Sequence, residues 1–369
     1  MKIALIMVFF SFFIAGGANA HKASDSFIYW QPLIEDAPGR LDVALIDLAR
    51  AVPLDSDGDG QVRWAEVVGR QASVKSYLNS KLAVMSGDLE CRVDWRIAGL
   101  TRHSDGNYLA LEFRPDCFDA AIVASQLQYN LFFDQDPLHR ALVMIRSDEN
   151  DRLTVLGPDQ KTLSFADTPS VWHTAVEFIW EGMVHLWIGY DHMLFLLALL
   201  LPAAVRREKG HWVVENRLGA AVKDVALIVT AFTVAHSVTL VIATLGVVRL
   251  PIAWVETFIA LSIVAAAVNI VWPFLGHRRY LVGFGFGLIH GFGFASVLGD
   301  FMSDTSSRLV ALASFNVGVE LAQLAVVLAV VPVIYLLRNQ WVYQRVVMPV
   351  GVAAVALTGT VWALERVPL

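Results

Sequence analysis

The pattern of apolar and polar positions along this chain changes character twice. A single Lys2 precedes an unbroken apolar run from Ile3 to Ile14, and Ala18-Asn19-Ala20 follows. A basic start, a short apolar run and small residues two apart form a secretory signal peptide, so residues 1–20 are predicted to be removed. Over residues 21–170 the apolar runs are short. Leu41–Ala51 and Trp64–Leu82 have helical spacing, whereas Cys91–Ile97, Tyr108–Phe113, Gln126–Phe133, Ala141–Ile145 and Arg152–Val155 read as strands. This stretch is predicted to be an extracytoplasmic α+β domain, mainly β. From residue 171 to 369 long apolar runs take over. Six of them, near 174–201, 222–247, 252–275, 280–299, 309–337 and 345–364, reach the roughly 20 residues that a membrane-spanning helix needs. A six-helix transmembrane bundle, all-α, is predicted for this half.

Composition sharpens that division. The 369 residues are 56% hydrophobic and 17% charged, with a mean hydropathy of +0.55, whereas soluble domains have about 25% charged residues. Residues 21–171 hold 15 Lys/Arg and 23 Asp/Glu, a net charge of −8, while residues 172–369 hold only 12 and 11. An acidic chain of net charge −6 makes nucleic acid a poor partner. With the N-terminal domain outside, the inner loops and their edges carry Arg206, Arg207, Lys209, Arg217, Lys223, Arg278, Arg279, Arg338 and Arg345, against Arg249, Arg308 and Arg366 outside. That asymmetry satisfies the positive-inside rule and predicts a multi-pass protein of the bacterial inner membrane, its N-terminal domain in the periplasm.

The polar half carries one strong motif. Residues 55–66, Asp-Ser-Asp-Gly-Asp-Gly-Gln-Val-Arg-Trp-Ala-Glu, fit the twelve-residue EF-hand loop. Asp55, Asp57 and Asp59 take its first, third and fifth positions, Gly60 the sharp turn, Gln61 the carbonyl ligand and Glu66 the bidentate carboxylate. Hard oxygen ligands at this spacing suit Ca²⁺. Pro53 departs from the pattern, since it disturbs the end of the helix before the loop. The rival reading is an Asp-rich turn without metal. Cys91 and Cys117 are the only cysteines; in an oxidising compartment a disulfide is the default reading and a Cys-ligated metal site the alternative. Cleavage would leave His21 at the N-terminus, where an amine and an imidazole together suit copper or nickel; the rival is that this His has no such role. His103 and His139 are isolated and read as ordinary histidines.

Polar side chains inside the apolar runs are costly, each roughly 3 kcal/mol or more for a charge at mid-membrane. The first span has Glu177, Glu181 and His185, four apart, then Asp191 and His192. His236, Glu256 and His290 lie in the next three, and Asn316, Glu320 and Gln323 form one stripe on the fifth. The sixth span has none and reads as a packing helix. Depth along the spans suggests an outer acidic vestibule of Glu177, Glu181 and Glu256 above a central site of His185, Asp191, His192, His236 and His290, with Asn316 and Glu320 in support. Imidazole with a few carboxylates favours Ni²⁺, Co²⁺, Zn²⁺ or Cu²⁺ over Ca²⁺. The rival is a set of interhelical hydrogen bonds. Gly283, Gly287 and Gly291, four apart, permit close helix approach. This glycine run is no nucleotide loop, because no strand precedes it.

His185-Leu-Trp-Ile-Gly-Tyr-Asp191-His192 resembles the first-helix signature of the HupE/UreJ family of membrane proteins, linked to hydrogenase and urease maturation and regarded as nickel or cobalt permeases. The resemblance continues through Phe232–Leu240, Trp254–Glu256, Gly287–Phe294 and Phe315–Gln323, covering all six spans. The N-terminal half, with Asp136–Arg140, resembles the longer second branch. The resemblance implies metal positions at His185, Asp191, His192, His236 and His290, and metalloenzyme-maturation proteins as partners. The leading expectation is a nickel/cobalt-type permease. An intramembrane metal-dependent hydrolase and a metal-binding accessory or sensor protein are the alternatives.

Overall fold

A computed structural model describes residues 25–32, 37–103, 106–117, 124–137, 139–146, 152–165, 171–208, 211–248, 250–273, 279–299 and 305–367. The signal segment 1–20 and His21 lie outside the described residues, as do Lys209, Arg249 and Arg278.

The N-terminal half is mainly β. Nine strands run β1 Asp25–Trp30, β2 Gly39–Ala44, β3 Leu82–Ser86, β4 Leu89–His103, β5 Gly106–Asp116, β6 Gln126–Tyr129, β7 Arg140–Ile145, β8 Arg152–Leu156 and β9 Thr162–Ser164. They join in the order β8-β7-β1-β2-β5-β4-β3-β6-β9. Only β1 and β7 pair in parallel. Three short helices, α1 Leu45–Ala51, α2 Trp64–Gly69 and α3 Gln71–Lys81, cover one side. Their Leu48, Val67, Val74 and Leu78 close a core with Ile28, Trp30, Leu41, Val43 and Trp95 of the strands. Cys91 and Cys117 form a disulfide, with Cα atoms 4.5 Å apart.

Several predicted elements are corrected here. The helix expected over Leu41–Ala51 is a strand as far as Ala44, because pairing with β5 buries Leu41 and Val43 fully; tertiary pairing overrides local propensity. The helix expected over Trp64–Leu82 breaks at Arg70, and Leu82 already belongs to β3. Strands β1, β2, β3 and β9 were not expected. In β1 the alternation is masked by apolar residues on both faces, since Ile28 and Trp30 pack the domain core and Phe27 meets the helical half, whereas β3 and β9 are short.

The C-terminal half is helical: α4 Val171–Ile188, α5 Tyr190–Leu200, α6 Leu218–Thr244, α7 Ile252–Val271, α8 Arg279–Gly299, α9 Thr305–Leu337 and α10 Met348–Arg366. A π-helical turn, Tyr343–Val347, leads into α10. Among the described residues four helices are long and apolar enough to cross a membrane, or five if the bent pair α4–α5 is one span. On the α7 segment the exposed Trp254 and Trp272 stand about 27 Å apart at 1.5 Å per residue, close to the roughly 30 Å of a hydrocarbon core. Between α5 and α6 the chain forms a hairpin, Val205–Glu208 with His211–Val214, where a loop was expected.

The expected continuous first span is the main correction in this half. It bends by 73° at Gly189. A Cβ there would lie 2.9 Å from the His185 carbonyl oxygen and 3.0 Å from His192 Nδ1, so the bend needs a residue without a side chain. The glycine stripe of α8 packs as its spacing predicts. A Cβ on Gly287 would lie 2.2 Å from the Phe232 carbonyl oxygen, so α6 and α8 touch backbone to backbone.

The two halves share a third core. Phe27, Ala44, Tyr108, Leu142, Met144, Leu153 and Val155, on the outer face of the sheet, pack against Phe178 of α4, Leu240 of α6 and Ala311, Leu312 and Phe315 of α9. The sheet therefore sits on one end of the helices.

Candidate metal centre

The bend at Gly189 lets one chain segment present two imidazoles to the same point. The His185 and His192 rings lie 4.9 Å apart although they flank the break. His192 is also 6.0 Å from the His236 ring and 5.2 Å from the His290 ring. Ligand atoms of Asp191, His192 and His290 all lie within 4.8 Å of one another. His192, His236 and His290 are 6%, 0% and 1% exposed. Phe195 and Phe232 wall the cluster, their rings 5.6 and 5.2 Å from that of His290.

Hydrogen bonds at the rim decide which nitrogen of each ring carries its proton. His192 Nδ1 lies 2.9 Å from Asp191 Oδ1; a carboxylate only accepts, so Nδ1–H donates. The Asn316 amide nitrogen donates to the Leu312 carbonyl at 2.8 Å, which turns its oxygen toward His236 Nδ1 at 3.1 Å. His236 Nδ1 is therefore also a donor. The Ser262 hydroxyl donates to the Ile259 carbonyl at 2.7 Å and so accepts from His290 Nε2 at 3.0 Å. The remaining nitrogens, His192 Nε2, His236 Nε2 and His290 Nδ1, are buried lone pairs with no hydrogen-bond partner among the described residues. Buried acceptors left unmatched are costly. Outward hydrogen bonds that fix each ring and leave a bare nitrogen inward are the usual second layer of a transition-metal site. The donor set, neutral imidazole with one carboxylate, fits a borderline divalent ion.

The chain belongs to the HupE/UreJ family. The family model described as "HupE / UreJ protein" matches residues 160–366, which is more than half of the chain and includes every residue of this cluster. No curated protein matches the chain. Within this HupE/UreJ protein the remaining predicted site residues fall into three places. Asn316, Glu320 and Gln323 form the expected stripe on α9, facing α6. The Thr230 hydroxyl donates to Glu320 Oε1 at 2.5 Å, and the Thr233 hydroxyl to Gln323 Oε1 at 2.9 Å. Glu320 Oε2 is buried with no hydrogen-bond partner among the described residues. A cavity of about 600 Å³, largely apolar, lies beside Asn316, Glu320, Val234 and Leu321 between α6 and α9. Glu177 lies at the joint between the two halves, where its Oε1 accepts from the Thr154 hydroxyl at 2.6 Å and the Val155 amide at 2.9 Å. Glu181 Oε2 is 3.7 Å from Arg140 Nε. Glu256 is half-buried near the start of α7. Sequence reasoning missed Ser262, Thr230, Thr233 and the aromatic wall. A hydroxyl in an apolar run has no spacing signature, and only the helix packing shows what it faces.

The acidic loop is a different kind of site. Asp55, Asp57 and Asp59 bring carboxylate oxygens within 4.8 Å of one another, and Gly58 and Gly60 take φ of 75° and 79°. Helix α2 begins at the tenth loop residue, Trp64. Glu66 does not join the three aspartates. Its Oε2 accepts from the Arg63 amide at 2.9 Å, and its Oε1 from the Ser56 amide at 2.7 Å and hydroxyl at 2.9 Å. Those hydrogen bonds, the Arg63 amide foremost, hold its pKa down to about 2. The Arg63 guanidinium pairs with both Asp57 and Asp59. Three of the five expected ligands thus lie close together, while Glu66 caps helix α2 instead of joining them.

Proposed function

We propose that this HupE/UreJ protein is a six-span permease for a divalent transition metal of the nickel/cobalt type, with His185, Asp191, His192, His236 and His290 as its central site. The observation that carries this reading is the set of three buried imidazole nitrogens, each left bare by a hydrogen bond on the other side of its ring. The family's association with nickel and cobalt handling supports it. The ion is the substrate. It sheds water on entering the apolar cluster, and the fixed imidazoles replace the lost ligands. Asp191 supplies the negative charge, and ligand protonation couples release to pH. Glu177, Glu181 and Glu256 mark the outer route, and Glu320 a route past the cluster. In this reading residues 1–20 are cleaved, 21–170 stand in the periplasm with Ca²⁺ on the 55–66 loop, and 171–369 cross the inner membrane.

The test is uptake of Ni²⁺, Co²⁺, Zn²⁺ and Cu²⁺ into proteoliposomes. Flux of one metal, lost in His192→Ala at normal protein level, is expected; unchanged flux in that variant would remove the cluster from the mechanism. The apolar cavity beside Asn316 favours a second reading. An acyl chain lying there next to a zinc-bound water would make the protein an intramembrane hydrolase. Lipid hydrolysis by the purified protein, lost in His236→Ala and without metal flux, would replace the permease reading.

A further inference from the structure

The face of the sheet that turns toward the helix ends is not apolar throughout. Side chains alternate along a strand. Leu41 and Val43 of β2 point into the domain core, so Arg40 and Asp42 share the other face with Ala44. On β7, Leu142 and Met144 pack toward the helices, and Arg146, two residues on, continues that face. Tyr29 of β1 does the same beside Phe27. His103, at the end of β4, stacks on Phe27 at 4.4 Å. These residues line a cavity of about 450 Å³ to which no helix contributes. It begins one pleat, about 7 Å, beyond Phe27 and Met144, which touch the helix ends. The interfacial layer on each side of a bilayer's hydrocarbon core is about 5–8 Å deep.

The chemistry of the cavity is that of an oxyanion site. Asp42 is fully buried, and both its oxygens are in use. Oδ1 accepts from Arg40 Nε at 2.7 Å, and Oδ2 from Arg40 Nη2 at 2.9 Å and His103 Nε2 at 2.9 Å. Asp42 therefore holds a guanidinium and an imidazole in place and offers no oxygen to a ligand. Arg40 keeps its other N–H groups for the cavity. Among the described residues no carboxylate pairs with Arg146. Among the described residues, two guanidinium groups against one saturated carboxylate leave a surplus positive charge, and a fixed guanidinium fork matches phosphate geometry. The ring of Tyr29, on the face of Phe27, gives the same cavity an apolar side.

The geometry points to a binding site for the phosphate headgroup of an anionic membrane phospholipid at Arg40, His103 and Arg146, under the sheet where it meets the membrane. The headgroup staples the sheet to the bilayer beside the bundle. An anionic headgroup is favoured over a zwitterionic one, because choline would bring a cation to a cationic cavity. The assignment is independent of what the bundle transports.

Native mass spectrometry of the delipidated full chain, titrated with phosphatidylglycerol or phosphatidylcholine, tests this. One phosphatidylglycerol is expected to bind about tenfold more tightly than phosphatidylcholine, a difference of about 1.4 kcal/mol. Arg146→Ala and Arg146→Glu should lose that one lipid while keeping the wild-type melting temperature, since Arg146 is exposed. Millimolar inorganic phosphate should not displace it. Equal binding of the two lipids, or an unchanged preference in both Arg146 variants, would overturn the site. Displacement by inorganic phosphate would overturn the lipid and leave a free phosphate in its place.

Discussion

The two metal-type clusters of this protein are built on opposite principles. The loop of Asp55, Asp57 and Asp59 is exposed, acidic and contiguous in sequence, and Arg63 offsets part of its charge. The cluster of His192, His236 and His290 is buried and draws on three separate helices, and among the described residues its inward nitrogens have no hydrogen-bond partner. The loop lies where water reaches it, whereas the imidazoles are buried among packed helices. The difference teaches where selectivity resides. Under the proposed reading, the hard, exposed loop would bind by charge, whereas the soft, walled cluster would bind by ring geometry that outward hydrogen bonds hold in advance.

Removing an imidazole should have the largest effect. His290→Ala is expected to lower transition-metal affinity of the detergent-solubilised protein by more than the roughly 10–100-fold typical of a lost second-layer contact. Calorimetric titration with Ni²⁺ checks this, and an unchanged isotherm would mean that the ring is no ligand. Next come the second-layer groups. Asn316→Leu frees the His236 proton to move to Nε2 and should weaken binding about 10–100-fold, with little change in melting temperature. Equal affinity in Asn316→Leu and wild type would show that the fixed tautomer does not matter.

On the loop side the effects are smaller. Ca²⁺ at one hundred times its Kd should stabilise the β domain by about 2.7 kcal/mol, and Asp57→Asn should reduce that shift without altering metal flux. A Ca²⁺ effect on flux lost in this variant would instead couple the two sites. The smallest effect is one of pH. Glu66 is held below its ordinary 4.5, at about 2, by hydrogen bonds to its charged form. Its contribution is therefore complete above pH 4.5 and is lost as the pH falls toward 2. The melting temperature of Glu66→Gln should lie below wild type at pH 6, and the gap should close by about pH 2. A gap that persists there would assign the loss to packing.

Much of the organisation was readable in one dimension. Composition divided the chain near residue 170, where sheet gives way to helix. The stripe of Asn316, Glu320 and Gln323, the glycines of α8 and the Cys91–Cys117 pair were each legible because they rest on spacing or on counting. The bend at Gly189 was not, since a lone glycine in an apolar run is equally at home in a straight helix. Strand β1 escaped notice because apolar residues lie on both of its faces, which removes the alternation that marks a strand, and β2 because its short alternation runs straight into helix α1.

Residue type and helical period alone thus determined that imidazoles and carboxylates would sit inside an apolar bundle, because an apolar run of that length has few other places to go. Only the tertiary structure decided which nitrogen each imidazole presents. That depends on a serine of α7, an asparagine of α9 and a bend between α4 and α5 meeting within a few ångströms. It also decided that Glu177 grips the sheet and that Arg40, His103 and Arg146 gather beneath it. Hydrogen-bond partners distant in sequence leave no periodic trace, so packing alone brings them together.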